Sequence, residues 1–449
     1  MIAIVFIFLI LIIIYFIIKP ININFFGASL NINIITVPIF TLIFALVFDL
    51  IDFNIIIEGI IGNGITEPWK VLIIFFGSAL ISISADKSGI FDYISVKVLN
   101  RGKGRGVLLF IITYCFSWFL SIFASNDIVI LTLTPIVFYF SIYSNVNVLP
   151  LLFAEFIAAN NGIFFITGNP VDTIIATALN IDQWSYIKMT ILPTLVLSAI
   201  SLALLYFFFR KDITKKYRIK DLEKPIECWV DANVSLIILS FTLIFLMLSS
   251  FLKLEIWMVV LIGVFAFIIK DLIVPFFYSH KLFEGEHGKF WRIYQTVHSM
   301  PWDIFSFVLV MFIFVTAMDY YGFFNIIASI FSHFINGNTF LASFTFGLTS
   351  LIVENVINNQ PMAMIYSNIF SNQFFQVSPQ VFKASVFSVI LAGNAGASLT
   401  LVGSLAGLMW RKILKQKGKN ITHSQFAKIG LITVLPAVLV SFLILALIT

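Results

Sequence analysis

Phe123-Ala-Ser-Asn-Asp-Ile-Val-Ile-Leu-Thr-Leu-Thr-Pro135 is the stretch whose reading decides the fold. It sets the carboxylate of Asp127 beside the amide of Asn126 and the hydroxyl of Ser125, in a run otherwise apolar from Val107 to Phe140. A charge at membrane depth is costly and by default marks a functional site. A short polar loop between two spans would give the same letters; the functional reading is favoured because the pattern returns in the second half of the chain.

Composition sets the frame. Of 449 residues, 60% are hydrophobic and 11% charged, with a mean hydropathy of +1.05. An ordinary soluble domain carries roughly 25% charge. The chain therefore reads as an all-α polytopic membrane protein with length for about ten to twelve spans of about 20 residues. The net charge of +5 is carried in short loops between apolar runs, which makes it a topology signal and not a nucleic-acid surface. Cys115 and Cys228 give neither a disulfide framework nor a metal-ligand spacing. No cofactor motif and no nucleotide-binding loop is present in the sequence, so any ATPase drive would need a separate subunit. Residues 2–18 form an unbroken apolar run without a preceding basic residue or a small-residue cleavage pattern, which reads as a first span and not a signal peptide.

An internal repeat carries more information. Asp86-Lys-Ser-Gly-Ile-Phe-Asp-Tyr-Ile94 matches Asp319-Tyr-Tyr-Gly-Phe-Phe-Asn-Ile-Ile327 at an offset of 233. Asn126-Asp127 then falls opposite Asn358-Asn359, Asn160-Asn161-Gly162 opposite Asn394-Ala395-Gly396, and Gly168-Asn169 opposite Gly403-Ser404. An odd number of spans separates the copies, so they must point opposite ways across the bilayer, the inverted-repeat plan of many secondary transporters. The expected division is residues 1–85 as N-terminal scaffold spans and 86–209 as the first repeat, with a re-entrant helical hairpin at 106–143 and a broken transmembrane helix at 149–179. A basic connector and scaffold spans follow over 210–318. The second repeat occupies 319–449, with a hairpin at 339–370 and a broken helix at 381–410. On this plan every Lys and Arg except Lys70, Lys188, Lys253 and Lys383 lies on one side. The positive-inside rule makes that side cytoplasmic, with the charged connectors 86–105, 210–231, 273–300 and 411–425 facing it. Hairpins treated as full double spans would keep the same parity.

Irregular backbone at membrane depth is tolerated only where protein buries it or a cavity wets it. Four interruptions meet that condition: Ser125 to Asp127, Asn160 to Pro170, Asn358 to Pro361 and Gly393 to Ser404. Broken helices expose amides and carbonyls that coordinate anions and cations respectively. The residues expected to hold solute or ion are Ser125, Asn126, Asp127, Asn160, Asn161, Asn169, Asn358, Asn359, Asn394, Ser398, Thr400 and Ser404, with Na+ placed near Asn126, Asp127 and Asn358 if Na+ is the coupling ion. Asp127 is the expected carrier of the coupling ion, H+ or Na+, because a buried carboxylate resists ionisation. Glu155, about two turns into its span, is read as interfacial. Asp172 either caps the next helical segment or binds. Glu354, one turn before the second tip, is a candidate second ionisable group, and Asp86 and Asp319 are read as matched elbows at a membrane boundary.

At these residues the chain resembles the arsenical-pump membrane proteins, the arsenite and antimonite efflux permeases of the ion transporter superfamily. The likeness covers most of the chain from Asp86 onward. It is carried by Ser88-Gly89-Ile90-Phe91 with Gly102-Lys-Gly-Arg-Gly-Val-Leu-Leu-Phe110, by Phe123-Ala-Ser-Asn-Asp127 with Leu131-Thr-Leu-Thr-Pro-Ile-Val137, and by Asn358-Asn-Gln-Pro361. Phe209-Arg-Lys-Asp-Ile213, Met300-Pro-Trp-Asp-Ile304 and Val402-Gly-Ser-Leu-Ala-Gly-Leu-Met-Trp410 also fit. The resemblance implies inverted repeats, re-entrant hairpins and solute movement driven by an ion gradient. It departs at Ala395, where the family usually has an acid, and at Asn161, near which it usually has Asp. The Ser125-Asn126 tip also resembles divalent-anion/sodium symporters, and Gly168-Asn169-Pro170 is similar to the wider superfamily, sodium/proton antiporters included.

The first reading is thus proton-coupled efflux of arsenite or antimonite; the alternative is an ion-coupled carrier of another small inorganic or organic solute, such as a Na+/H+ antiporter or a dicarboxylate carrier. Thiolate chelation of arsenite would need about three close cysteines, so amides and hydroxyls would have to hold it. A dicarboxylate carrier would be expected to present fixed positive charge, and no Lys or Arg falls in the four interruptions. A membrane anchor has no use for four paired breaks. The expected partners are the solute, H+ or Na+, and the lipid bilayer, with a homodimer left open.

Overall fold

The computed structural model describes residues 21–25, 28–32, 36–62, 67–102, 104–123, 125–143, 146–215, 226, 228–277, 291–300, 302–335, 337–401 and 403–449. The expected first span at 2–18 and much of the connectors 210–231 and 273–300 lie outside these residues, as does the side chain of Asp127.

A β-ribbon that the apolar count did not anticipate pairs β1 (Ile21–Phe25) antiparallel with β2 (Ala28–Ile32). The rest is helical. Within the N-terminal scaffold stand two short helices, α1 (Thr36–Val47) and α2 (Phe53–Ile61), the second capped by Asp52, which accepts from the Asn54 amide at 2.8 Å. Both pack on α13 (Trp302–Tyr320). Asp49, Asp52, Asn54 and Glu58 give α2 a more polar surround than a span has.

From there the elements run in one order twice. The first pass is α3 (Pro68–Lys87), α4 (Ile90–Leu99), the hairpin α5 (Gly106–Phe123) and α6 (Asn126–Tyr143), the broken helix α7 (Val148–Asn160) and α8 (Pro170–Ala178), and α9 (Gln183–Ile213). Between the passes stand α10 (Trp229–Leu252), α11 (Ile256–Phe277) and α12 (Trp291–His298). The second pass is α13, α14 (Phe323–Ile335), the hairpin α15 (Thr339–Ile357) and α16 (Asn359–Ser371), the broken helix α17 (Pro379–Ala395) and α18 (Leu405–Gln416), and α19 (His423–Thr433) with α20 (Leu435–Ile448). Seven helices among the described residues are long and apolar enough to cross a membrane, or eight with the bent pair α13–α14.

The elbows match in detail. Gly89 and Gly322 take φ values of 79° and 73°, and their amides donate to the carbonyls of Asp86 at 2.9 Å and Asp319 at 2.8 Å. Glycine adopts such a φ without the penalty a side chain would bring. After the second elbow the chain bends by 75°, so α14 lies across the direction of α13. Ile326, Ile330 and Phe334, at helical spacing, form its exposed stripe while Phe324, Ala328 and Ile335 are buried.

A few contacts give the relative sense of the two passes. Ser441 of α20 donates to the Pro193 carbonyl of α9 at 3.1 Å, while Phe209 late in α9 and Phe426 early in α19 both pack on Phe153, with ring centroids 6.2 and 5.7 Å away, so α9 runs antiparallel to α19–α20. Gly106, at the base of the first hairpin, lies against the carbonyls of Ile213 and Lys215 at the end of α9. Thr339, at the base of the second, donates to the Ala446 carbonyl at the end of α20, at 3.3 Å. The two hairpins therefore enter from opposite faces, as an inverted repeat requires. Packing is reciprocal: α5 lies on α7 and α15 on α17, while α6 packs on α18 and α16 on α8, each across to the other repeat.

The connecting helices hold a buried ion cluster that sequence reasoning missed. Lys270 of α11 bonds Asp231 at 2.8 Å and Asp271 at 2.7 Å, and Arg292 of α12 bonds Asp231 at 2.8 Å. Ser84 of α3 donates to both oxygens of Asp271, at 3.0 and 2.9 Å. Two cations and two anions neutralise one another and tie α3, α10, α11 and α12 together at one end. Such groups are tolerated in an apolar interior only when paired and hydrogen-bonded. Read singly, the same residues look like the charged ends of spans.

Candidate functional site

Each interruption is built by its own capping residues. Asn169 and Ser404 are the N-caps of α8 and α18, accepting from the amides of Val171 at 3.1 Å and Gly407 at 3.2 Å. Pro170 follows as the first residue of α8, where its missing N–H costs nothing. At the second tip Asn358 caps α16 with φ 80° and ψ 157°, a conformation almost reserved for glycine. It is fully buried, so the surrounding packing holds it there.

Helix starts settle the register of the tips. With Asn126 and Asn359 each the first residue of its helix, Ser125 pairs with Asn358, Asn126 with Asn359, and Asp127 with Gln360. This shifts by one residue the pairing of Asn126-Asp127 with Asn358-Asn359 read from residue identity. The matching offset of 233 is the one that relates the elbows and the hairpin bases.

In the first repeat, Asn126 donates to Asn160 Oδ1 at 2.9 Å, and Asn160 donates to the Phe156 carbonyl at 2.9 Å. A hairpin tip thus meets the end of α7, the inner arm of a broken span, and so lies at membrane depth. Asn161, the C-cap of α7, turns away from the tip: its amide faces the Tyr114 hydroxyl at 3.4 Å, and its carbonyl accepts from Trp118 at 3.2 Å. In the second repeat, the Asn359 backbone amide donates to the Gly403 carbonyl at 3.1 Å and its side chain to the Gly393 carbonyl at 3.4 Å. Thr400 donates to Asn355 Oδ1 at 2.7 Å.

The two breaks meet through one amide. Asn394 of α17 accepts from Asn169 at 2.8 Å and donates to Asp172 Oδ1 at 2.7 Å and to the Ile390 carbonyl at 2.9 Å. Asp172 is therefore not the cap of α8, a place Asn169 holds, but the acceptor that joins the halves. Since Gly393, next to Asn394, receives Asn359, the second tip lies one residue from this bridge.

Two further carboxylates lie in the interior. Glu155 is fully buried, because α5, α6, α9 and α17 enclose α7; Thr134 of α6 donates to it at 2.8 Å. Glu354 of α15 is fully buried, and neither of its oxygens has a hydrogen-bond partner among the described residues. It presses on Gly396, where a Cβ would stand 2.2 Å from Glu354 Oε2. In the first repeat Ser121 stands against Gly162 in the equivalent place. Ser398 is buried at the second break with its hydroxyl unpartnered among the described residues. No group of three or more His, Cys, Asp or Glu able to hold a metal ion occurs among the described residues.

The cluster combines Ser125, Asn126 and Asn160, then Asn169, Asn394 and Asp172, then Asn358, Asn359 and Thr400; Asn161, Ser398 and Ser404 shape the breaks. Asp172 and Asn355 joined the cluster only in three dimensions. Four helices, α6, α8, α16 and α18, begin at these points: Asn359 at the start of α16 bonds Gly403 just before α18 and Gly393 beside the Asn394 that holds Asn169, and Ser125 and Gly168, just before α6 and α8, line one small cavity.

The chain is similar to proteins named as transporters and membrane pumps. Residues 7–382 match the model of the CitMHS family, described as citrate transporters. The chain is 25% identical over 383 residues to an arsenical pump membrane protein of Escherichia coli, and 26% identical over 383 residues to that of Yersinia enterocolitica. In both cases the match covers 84% of this chain and 86% of the relative. The YdaH transporter of Alcanivorax borkumensis, whose crystal structure is described as having an unusual topology, shares the fold. Its TM-score is 0.60 at 10% identity, over 99% of this chain and 97% of that one. An integral, multi-pass membrane architecture, an inverted repeat of broken helices and these relatives agree: the chain belongs to the CitMHS transporter family, with the arsenical pump membrane proteins among its relatives in the ion transporter superfamily.

Proposed function

We propose that the chain is a secondary efflux permease that exchanges arsenite or antimonite for protons across the cytoplasmic membrane. The observation that carries the reading is the chemistry of the converging tips and breaks. The described side chains that meet there are amides, hydroxyls and carboxyls, suited to a small neutral polyhydroxide held by hydrogen bonds and released again. Relatives named arsenical pump membrane proteins support the same cargo. Asp127, in the first turn of α6, is the proposed carrier of the coupling ion, and Glu354 is the proposed second ionisable group.

Proteoliposomes with imposed pH and Na+ gradients test this, with arsenite, Na+ and citrate compared. Arsenite is expected to move with a pH gradient, and Asp127→Asn to abolish the coupling while folded protein stays in the membrane. Arsenite moving no faster than in empty vesicles would refute the cargo, and full activity of Asp127→Asn would remove that residue from the coupling role.

A second reading, a carrier of citrate or another carboxylate, is favoured by the description of the matching family and by the four helix N-termini that converge on the site. Such termini attract anions without any basic side chain. Citrate uptake in the same vesicles, with no arsenite flux, would establish it instead.

A further inference from the structure

Two cavities lie one beyond the other where α3, α10 and α11 face the first broken helix. The outer, of about 160 Å³, is walled by Lys70 and Ile74 of α3, Thr177 of α8, Ser249 of α10 and Trp257 of α11. The inner, of about 20 Å³, is walled by Ser78 and Ser82 of α3, Ser125 at the first tip, Thr167 at the break and Thr242 of α10, interleaved with apolar side chains such as Ile122, Leu243 and Val260. The same layers supply both, in order along each helix. On α3 the lining residues are Lys70, Ile74, Ser78, Ile81 and Ser82, spaced three or four apart along one face. On the antiparallel α10 the order is reversed, from Ser249 to Leu246 and then to Thr242. At about 1.5 Å per residue, Ser78 and Ser82 stand about 12 and 18 Å inward from Lys70. That is close to half of a hydrocarbon core of about 30 Å, the depth at which the first tip meets the end of α7.

The wall changes character along its length. The outer cavity also contacts Glu255, Asn180 and Asp182, and Lys70 bonds Glu255 there at 2.5 Å, joining α3 to the start of α11. Deeper in, the polar groups are hydroxyls. Ser78 donates to the Ile74 carbonyl at 2.7 Å and Thr242 to the Ile238 carbonyl at 2.9 Å, so each hydroxyl is hydrogen-bonded to its own helix. Lys70, Lys253 and Lys188 are among the few basic residues on the face away from the crowded connectors, so the mouth opens outward.

We propose that these cavities are the outward half of the translocation route, a hydroxyl-lined path from the outer surface to the tip of the first hairpin, with the Lys70–Glu255 pair closing its mouth. The inner cavity exceeds the roughly 10–15 Å³ that one water needs, so it admits water or a coupling ion, and a larger solute passes only when the hairpin moves. The inference rests on the chain being a transporter and not on its cargo.

Thiol labelling tests it without any solute. In a background with Cys115→Ser and Cys228→Ser, single variants Ile74→Cys and Ser78→Cys are compared with Phe241→Cys, whose side chain is exposed on the outside of α10 next to Thr242. A charged, membrane-impermeant methanethiosulfonate is applied to right-side-out vesicles; the thiolate forms a disulfide and methanesulfinate leaves. Labelling of Ile74→Cys and Ser78→Cys at least about tenfold faster than Phe241→Cys, and faster again with Glu255→Gln, is expected. Having two α3 positions keeps the test open if one variant fails to fold. Rates at both positions no greater than that of Phe241→Cys, or labelling from the cytoplasmic face only, would overturn the path. Absence of arsenite transport in proteoliposomes would leave it standing, so the two failures are separable.

Discussion

Truncating Asn394 should uncouple the two breaks, and the size of the effect follows from its three hydrogen bonds. Asn394→Ala removes the bond to Asp172 at 2.7 Å, the bond from Asn169 at 2.8 Å and the bond to the Ile390 carbonyl at 2.9 Å. The Ile390 carbonyl is the smallest loss, since it lies within α17. A bond to a carboxyl is worth about 1.5–3 kcal/mol and a neutral one about 1 kcal/mol, with a larger loss where a buried partner is left unmade. The expected destabilisation is about 3 kcal/mol. Asp172→Ala removes only the acceptor, because Asn394 keeps Ile390, and should cost about 2 kcal/mol. If the residues act as one bridge, the double variant costs little more than Asn394→Ala alone, leaving a coupling of about 2 kcal/mol, or roughly thirtyfold in the unfolding equilibrium. Reversible unfolding of purified protein in mixed micelles, with free energy read against denaturant fraction, measures all four corners of the cycle. Additivity to within about 0.5 kcal/mol would refute the bridge.

Other substitutions probe separate contacts. Gly430→Ala would place a Cβ 2.1 Å from the Ser398 carbonyl oxygen, a backbone atom that cannot swing aside, so a loss of at least about 2 kcal/mol and a lower melting temperature are expected; unchanged melting would contradict the close approach of α19 to the second break. Asn358→Gly relieves a φ of 80° and should stabilise by about 1 kcal/mol, whereas Asn358→Ala keeps the strain, loses the cap and should destabilise; equal melting of the two would show that strain is not stored there. The bond from Lys70 holds Glu255 below its ordinary carboxylate range of about 4.5, so its contribution is present above that pH and fades as pH falls further. Glu255→Gln should therefore flatten the acid limb of a stability profile at low salt, and an identical limb in the variant would exclude the pair as its source.

The broad architecture was legible because an expensive pattern betrays itself: Asn, Ser and Asp inside apolar runs at Ser125 to Asp127 and Asn358 to Pro361 admit few physical explanations. The elbows were legible for a similar reason, since Gly89 and Gly322 hold a backbone conformation that other residues adopt only at a cost. The tip register was misread because Asn126 and Asn358 share a letter while the start of the helix, which letters do not mark, puts Ser125 opposite Asn358. The bridge of Asn169, Asn394 and Asp172 was not legible because its members lie more than 220 residues apart, and no local spacing predicts that an amide from one repeat will face a carboxyl from the other. The Lys270 cluster escaped for the converse reason: each member has an ordinary explanation alone, and only their convergence shows that the charges are buried.

Two half-molecules of one plan and opposite sense imply that exchanging their conformations produces nearly the same object turned over, so inward-facing and outward-facing shapes should start close to equal in energy. What separates them is the set of places where the halves differ: Glu354 against Ser121, Asn358 against Ser125, and one unbroken α9 against the jointed pair α19–α20. The resting preference of the molecule, and the ease with which a gradient reverses it, would then be written in those few mismatches and not in the shared frame.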